Sequence, residues 1–221
     1  MAKLLMLFGL LFIACGEVEG TLAPGSEGDA QSSSGGLISS SSGCLADFVN
    51  WQVPPEHSYI HGATTITLSP YRISASLITQ GQYKSVMGPN SNPSKGEKND
   101  ELPVDGVTWN NAVAFCRKLS EQMCLGSDAI KLPTEAQWEY AINVMQRIDE
   151  YWEWTNDCYA NVFPWTNHDP SGPTNCSANS ERVVKGTNLI EYRNPMPPNS
   201  SNMCASQGCG YISFRIVKKV F

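Results

Sequence analysis

Lys131–Tyr140, KLPTEAQWEY, is the stretch whose reading decides the fold. Leu132 precedes Pro133, whose ring pushes the preceding residue out of the helical region, so an extended segment ends there. Thr134 then has the hydroxyl to accept from a free N–H of a new helix. Gln137, three residues on, can return a bond to the Thr134 N–H as a capping box. Glu135 adds negative charge at the positive end of the helix dipole. Beyond the cap, Trp138, Ala141, Ile142 and Met145 recur at helical spacing, giving an apolar face that other elements must cover.

The same logic applies upstream. Thr108 can cap a helix whose stripe is Trp109, Ala112, Val113, Cys116 and Leu119. A T-x-x-Q box at Thr79 and Gln82 starts a shorter helix through Tyr83 and Val86 that ends at Gly88. Thr64–Leu68 and Tyr71–Leu77 alternate polar and apolar and read as two short strands around Ser69-Pro70. Arg182–Thr187 reads as another strand. Tyr211–Val217 reads as the closing strand, with Ile212, Phe214 and Ile216 on one face and Ser213 and Arg215 on the other.

Three features look chemical but have plainer explanations. In YWEWTNDCY, Tyr151–Tyr159, Trp152 and Trp154 alternate with Glu153 and Thr155; core packing with partnered indole N–H groups is favoured over a ligand platform. Glu135, Glu139, Glu150 and Glu153 are accounted for by capping and solvation. His57 and His61 have the spacing of two ligands on a helix face, yet Pro54-Pro55 opposes a helix there and no third ligand sits at a useful offset. No metal site is expected, and Cys44–Ala63 reads as an irregular segment packed on the domain.

A chain of 221 residues, 41% of them hydrophobic, supports one domain with extensions. A net charge of −6, with Lys and Arg unclustered, excludes a nucleic-acid partner. Eight cysteines point to an oxidising compartment. Lys3 followed by the apolar run Leu4–Ala14 reads as a signal peptide, residues 1–14, too short to span a bilayer. Phe12-Ile13-Ala14-Cys15 resembles a bacterial lipobox, which makes Cys15 a lipidation site and the membrane a partner; an ordinary secretory signal with a chance cysteine is the alternative. Residues 15–43, rich in Ser and Gly, form a tether, and 44–221 the domain. Cys158 and Cys176 flank a Pro- and Asn-rich loop that a disulfide would close, an effect of about 2–4 kcal/mol. For Cys116, a bridge to Cys124 and a buried free thiol both remain open.

KLPTEAQWEYA resembles the RLPTEAEWEYA signature of the formylglycine-generating enzyme (sulfatase-modifying factor) family. Ile66–Gly88, Leu102–Glu121, Tyr151–Tyr159, Arg182–Asn188 and Gly210–Lys218 resemble successive landmarks of that family in order. The resemblance implies a single loop-rich α+β domain, the formylglycine-generating-enzyme type of the C-type-lectin-like fold. Two departures stand out. Only Ile142–Glu150 separates WEYA from the Trp-rich block, where the family has a long segment carrying its calcium sites, so calcium is not carried over. The family's enzymes oxidise a substrate cysteine with two copper(I)-binding cysteines after the RV-x-(K/R)-GG block, soft thiolates suiting copper(I). Here that stretch, Leu189–Asn199, contains no cysteine, and the turn reads Lys185-Gly186-Thr187-Asn188. Cys204 and Cys209 lie later, with four residues between them, and are expected to pair as a local disulfide; the alternative is an enzyme in which they hold copper and convert a sulfatase cysteine to formylglycine.

The expectation is therefore a lipid-anchored protein of the bacterial envelope, at the outer membrane or cell surface. Its domain needs no cofactor and acts in binding or envelope assembly. The polar loop Tyr192–Gln207, with Tyr192, Arg193, Asn194, Asn199 and Asn202, would present the binding surface to a protein or glycan.

Overall fold

Three threonines start three helices. Thr79 caps α1 (Gln80–Met87): its hydroxyl accepts from the Gln82 N–H at 3.2 Å and its own N–H donates to Gln82 Oε1 at 3.0 Å. Thr108 caps α2 (Trp109–Gln122), accepting from the Asn111 N–H at 3.2 Å. Thr134 caps α3 (Glu135–Met145) through the expected box, with Gln137 N–H to Thr134 Oγ1 at 3.2 Å and Thr134 N–H to Gln137 Oε1 at 2.9 Å. Gly88 ends α1 at a φ of 114°, a conformation that costs any other residue strain. These helices belong to a computed structural model that describes residues 43–45, 48–55, 57–145, 151–161, 165–173, 175–186, 194–205 and 208–220.

The strands form two sheets and a hairpin. One sheet joins β1 (Trp51–Gln52), β4 (Tyr71–Ser74), β11 (Val217–Lys219) and β5 (Ile130–Lys131) in that order, all antiparallel. The other has the order β8 (Asn194–Met196), β7 (Arg182–Gly186), β6 (Trp152–Cys158), β10 (Gly208–Phe214) and β9 (Asn202–Ala205), with β6 and β10 parallel. β2 (Ser58–His61) and β3 (Thr64–Thr67) make a hairpin whose turn includes Gly62 at φ 59°. The expected irregular segment Cys44–Ala63 thus carries β1 and β2, because Pro54-Pro55 precedes β2 rather than interrupting it.

The closing strand is two strands. β10 stops at Phe214 in the five-stranded sheet and β11 resumes at Val217 in the four-stranded sheet. Arg215 lies at the crossing, 1% exposed, and donates from Nε and Nη2 to the two oxygens of Glu153 at 2.9 and 3.2 Å. The face of Ser213 and Arg215 is buried as fully as that of Ile212 and Phe214, because a strand inside the sheet is covered on both sides. Solvation does not explain Glu135, Glu139 or Glu153, all of them buried; Glu150 lies outside the described residues.

Two apolar clusters result. The larger packs α1 and α2 on the five-stranded sheet, with Tyr83, Phe115 and Phe214 in mutual ring contact and Trp154 donating from Nε1 to Val107 O at 2.8 Å. The smaller packs α3, through Ala136, Tyr140 and Ala141, on Ile66, Tyr71, Ile73 and Val217. Cys158–Cys176 is bonded, as the loop between them suggests. Cys124 pairs with Cys44 rather than Cys116. Cys116 points into the core from α2, whereas Cys124 stands beyond the helix end at φ 56°. The Cys44 link ties the segment before β1 to the end of α2 across 80 residues, a closure worth about 4–5 kcal/mol on chain-entropy grounds.

Burial raises the Cys116 thiol well above its usual range and pushes Tyr83 up to about 12; Tyr59 and Tyr71 are raised as well, by burial first. Groups whose folded-state pKa is raised confer stability that is complete below their unfolded values and is lost as pH rises. Melting temperature is expected to decline once pH passes about 8.5, the unfolded thiol value, and more steeply above about 10, where free tyrosine titrates. Melts of Cys116→Ala from pH 7 to pH 10.5 check this: the variant should lose the first part of the decline and keep the second.

Candidate functional site

Arg182 opens β7, opposite Cys158 on β6 and Met196 on β8. Its guanidinium stacks on the Trp109 ring at 3.8 Å and donates to Cys158 Sγ at 3.0 Å and to Ser177 O at 3.4 Å. Burial lowers its pKa, and the nearby Asp157 carboxylate opposes that shift. Trp109, the first residue of α2, is held in place by its Nε1 bond to Thr155 O at 2.9 Å. The next residue, Asn110, donates from Nδ2 to Asn199 Oδ1 at 2.6 Å and from its backbone to Pro198 O at 3.4 Å. The start of α2 therefore straps down the connection between β8 and β9.

This arrangement redistributes the expected binding residues. Asn194 opens β8, opposite Val184, and its Nδ2 is a buried donor with no partner among the described residues. Asn199 sits in the connection, exposed and bonded to Asn110. Asn202 opens β9 opposite Tyr211, and both side chains are exposed. The expected loop is thus two edge strands and a turn, with Asn194 and Asn202 at opposite ends of the five-stranded order. Tyr192, Arg193 and Cys15 lie outside the described residues.

A buried charge cluster, not anticipated from the sequence, holds α3 in place. Lys185 Nζ donates to Glu135 Oε1 at 3.2 Å and Glu139 Oε1 at 3.0 Å, and neither Lys185 nor Glu135 has any exposed side-chain surface. Glu139 Oε2 meets His61 Nδ1 at 3.0 Å, and the His61 ring stacks on Trp165 at 3.7 Å. Asp157 accepts the Glu135 N–H and the Gly172 N–H, both at 2.5 Å. One signal was available: Glu135 and Glu139 share the helical stripe of Trp138 and Ile142, where carboxylates are out of place. His57 and His61 are not brought together as ligands. Among the described residues, His57 Nδ1 is buried without a partner and no group of three or more His, Cys, Asp or Glu residues is disposed to hold a metal.

Cys204 on β9 and Cys209 on β10 are direct cross-strand partners. The copper pair implied by the family should come from Leu189–Asn199, which supplies no cysteine, and Cys204 and Cys209 occupy a hairpin later in the chain. The donor set does not fit copper at the family's position.

Against known families, residues 34–151 match the sulfatase-modifying factor enzyme 1-like domain, a little over half of the chain. The chain belongs to the sulfatase-modifying factor family. Two solved structures share the fold of this family member: Treponema denticola variable protein 1 (TM-score 0.52, 20% identity, 78% of this chain and 92% of that one) and PvdO from Pseudomonas aeruginosa (0.52, 14%, 78% and 92%). A curated relative, "Chaperone protein LppX" from Paenibacillus barcinonensis, is 29% identical over 39% of this chain and 40% of its own length. The chain spans about two fifths of that relative.

Lys185→Met removes the cation between two buried carboxylates. Breaking one side of a buried ion pair leaves uncompensated charge, and a loss of about 3–5 kcal/mol in urea unfolding is expected. Glu135→Gln with Lys185→Met should recover part of that loss in the same assay.

Proposed function

We propose that this sulfatase-modifying factor family member is a lipid-anchored envelope protein whose domain binds a partner and performs no oxidation. The pairing of Cys204 with Cys209 across β9 and β10 carries this reading. Directly opposite residues of antiparallel strands have Cα atoms about 4.5–5.5 Å apart, inside the range that a disulfide spans. Two thiols held there in an oxidising compartment form a disulfide, and a disulfide has no thiolate to offer copper. The missing cysteine in Leu189–Asn199 supports the same conclusion. Cys15, in its lipobox-like context, would anchor the chain, with 15–43 as the spacer. The likeness to a protein named as a chaperone supports an accessory role toward another envelope protein. The binding surface would centre on the exposed Asn199 of the β8–β9 connection and Asn202 at the start of β9, whose amides can donate to and accept from a peptide or glycan.

Alkylation of the full-length protein before and after reduction, read by mass spectrometry, tests the centre of this proposal. Cys204 and Cys209 should be blocked until reductant is added. Co-expression with a sulfatase-type peptide should give no aldehyde; aldehyde formed by the natural chain and lost in Cys204→Ser overturns the proposal. Anchoring has its own readout: Cys15→Ser should move the protein from the membrane fraction to the soluble fraction.

A further inference from the structure

We propose that the cleft between α2 and β5 is a binding site for a small amphipathic carboxylate, a molecule with an apolar body and one carboxylate group. The cleft has a volume of about 320 Å³ and is lined by Val113, Cys116 and Arg117 of α2, Ser127 and Asp128 of the following turn, Ile130 and Lys131 of β5, then Leu132 and Asn156. That volume falls at the lower end of the range for ligand pockets, about 300–1,000 Å³. The site is distinct from the surface offered by the β8–β9 connection, which meets α2 at Trp109 and Asn110, and it stands whether or not that surface binds anything.

The cleft follows from how β5 docks. Ser120 donates from Oγ to Cys116 O at 2.9 Å and accepts the Ile130 N–H at 3.1 Å, which fixes one end of β5 against the last turns of α2. Asn156 N–H donates to Pro133 O at 2.8 Å and holds the segment after Leu132 to β6. Between these two fastenings the walls stand apart. Cys116, Ile130 and Leu132 are buried at the base with Val113 half-buried beside them, so the base is apolar.

The rim has the opposite character. Arg117 and Lys131 are exposed, and neither side chain has an ion-pair or hydrogen-bond partner among the described residues. Asp128 is the single acid of the lining, so cations outnumber acids two to one in a chain of net charge −6. Asn156 is exposed as well, which leaves its carboxamide able to donate to or accept from a ligand at the mouth. Two cations above an apolar base complement an anion with a hydrophobic body. A bare small anion would gain nothing from the base, and a neutral hydrophobe would gain nothing from the rim. A carboxylate suits Arg117 in particular, since the planar guanidinium can meet both of its oxygens.

Calorimetric titration of the full-length protein with 3-phenylpropionate, 3-phenylpropanamide and acetate tests the proposal. Saturable binding of the carboxylate is expected, at least about tenfold tighter than that of the isosteric amide or of acetate. It should weaken when salt is raised from 0.05 to 0.5 M, because the screening length of exposed charges shortens from about 14 Å to about 4 Å over that range. The double variant Arg117→Gln, Lys131→Gln, at exposed positions, should keep the melting temperature and lose about tenfold in affinity. Lys118→Gln, beside Arg117 but outside the lining, should bind as the natural chain does. Equal binding of the acid and the amide, undiminished binding by the double variant, or no saturation at millimolar 3-phenylpropionate would each overturn the assignment.

Discussion

The pair formed by Arg215 and Glu153 is the constraint on which the two-sheet arrangement depends. Taking two charges out of water costs several kcal/mol per ion, and only close, well-directed contacts offset that cost. Here the contact is bidentate, and Arg215 Nη1 reaches Ala75 O at 3.5 Å in addition. It forms where one strand leaves the five-stranded sheet and enters the four-stranded one. The backbone around the crossing is satisfied by the end of β4 and the segment after it: Ile78 N–H to Phe214 O at 3.1 Å, Ser74 N–H to Ile216 O at 2.9 Å, and Ile216 N–H to Ser74 Oγ at 3.2 Å. If the pair shifted, the register of both sheets would shift with it. Phe214 and Val217 would then lose their places in two different apolar clusters.

A second buried cluster does for α3 what the first does for the sheets. Lys185 of β7 grips Glu135 and Glu139 on successive turns, and His61 of the β2–β3 hairpin takes the remaining oxygen of Glu139. Asp157 of β6 adds an acceptor at the helix start, where free N–H groups point outward. In these two clusters the charged groups are spent on one another. Chemistry directed outward is left to the periphery: the strapped connection between β8 and β9, and the cleft under Arg117 and Lys131.

That separation fits a family scaffold carrying a surface function. Two disulfides, Cys44–Cys124 and Cys158–Cys176, fasten segments with little regular structure to α2 and β6. Arg182 reinforces the second fastening through its contact with Cys158 Sγ and its stack on Trp109, and so links the start of α2 to the sheet edge. The edge strands β8 and β9 are short, and the connection between them carries the exposed Asn199.

The helices were legible in the chain because their signals are local. A threonine hydroxyl and an apolar stripe, with a glutamine three residues on at Thr79 and Thr134, interact within one or two turns, so Thr79, Thr108 and Thr134 each announced a helix start that the fold respects. The motif around Thr134 also sufficed to identify the family. The partners of the buried charges were illegible for the converse reason: Glu153 meets Arg215 across 62 residues and Lys185 meets Glu135 across 50, and although the stripe marks Glu135 and Glu139 as out of place, no local pattern names the cation that meets them. The break at Arg215, the partner of Cys124 and the cleft between α2 and β5 belong to the same class. Each depends on which distant segments are brought together, and only burial of the two cores decides that.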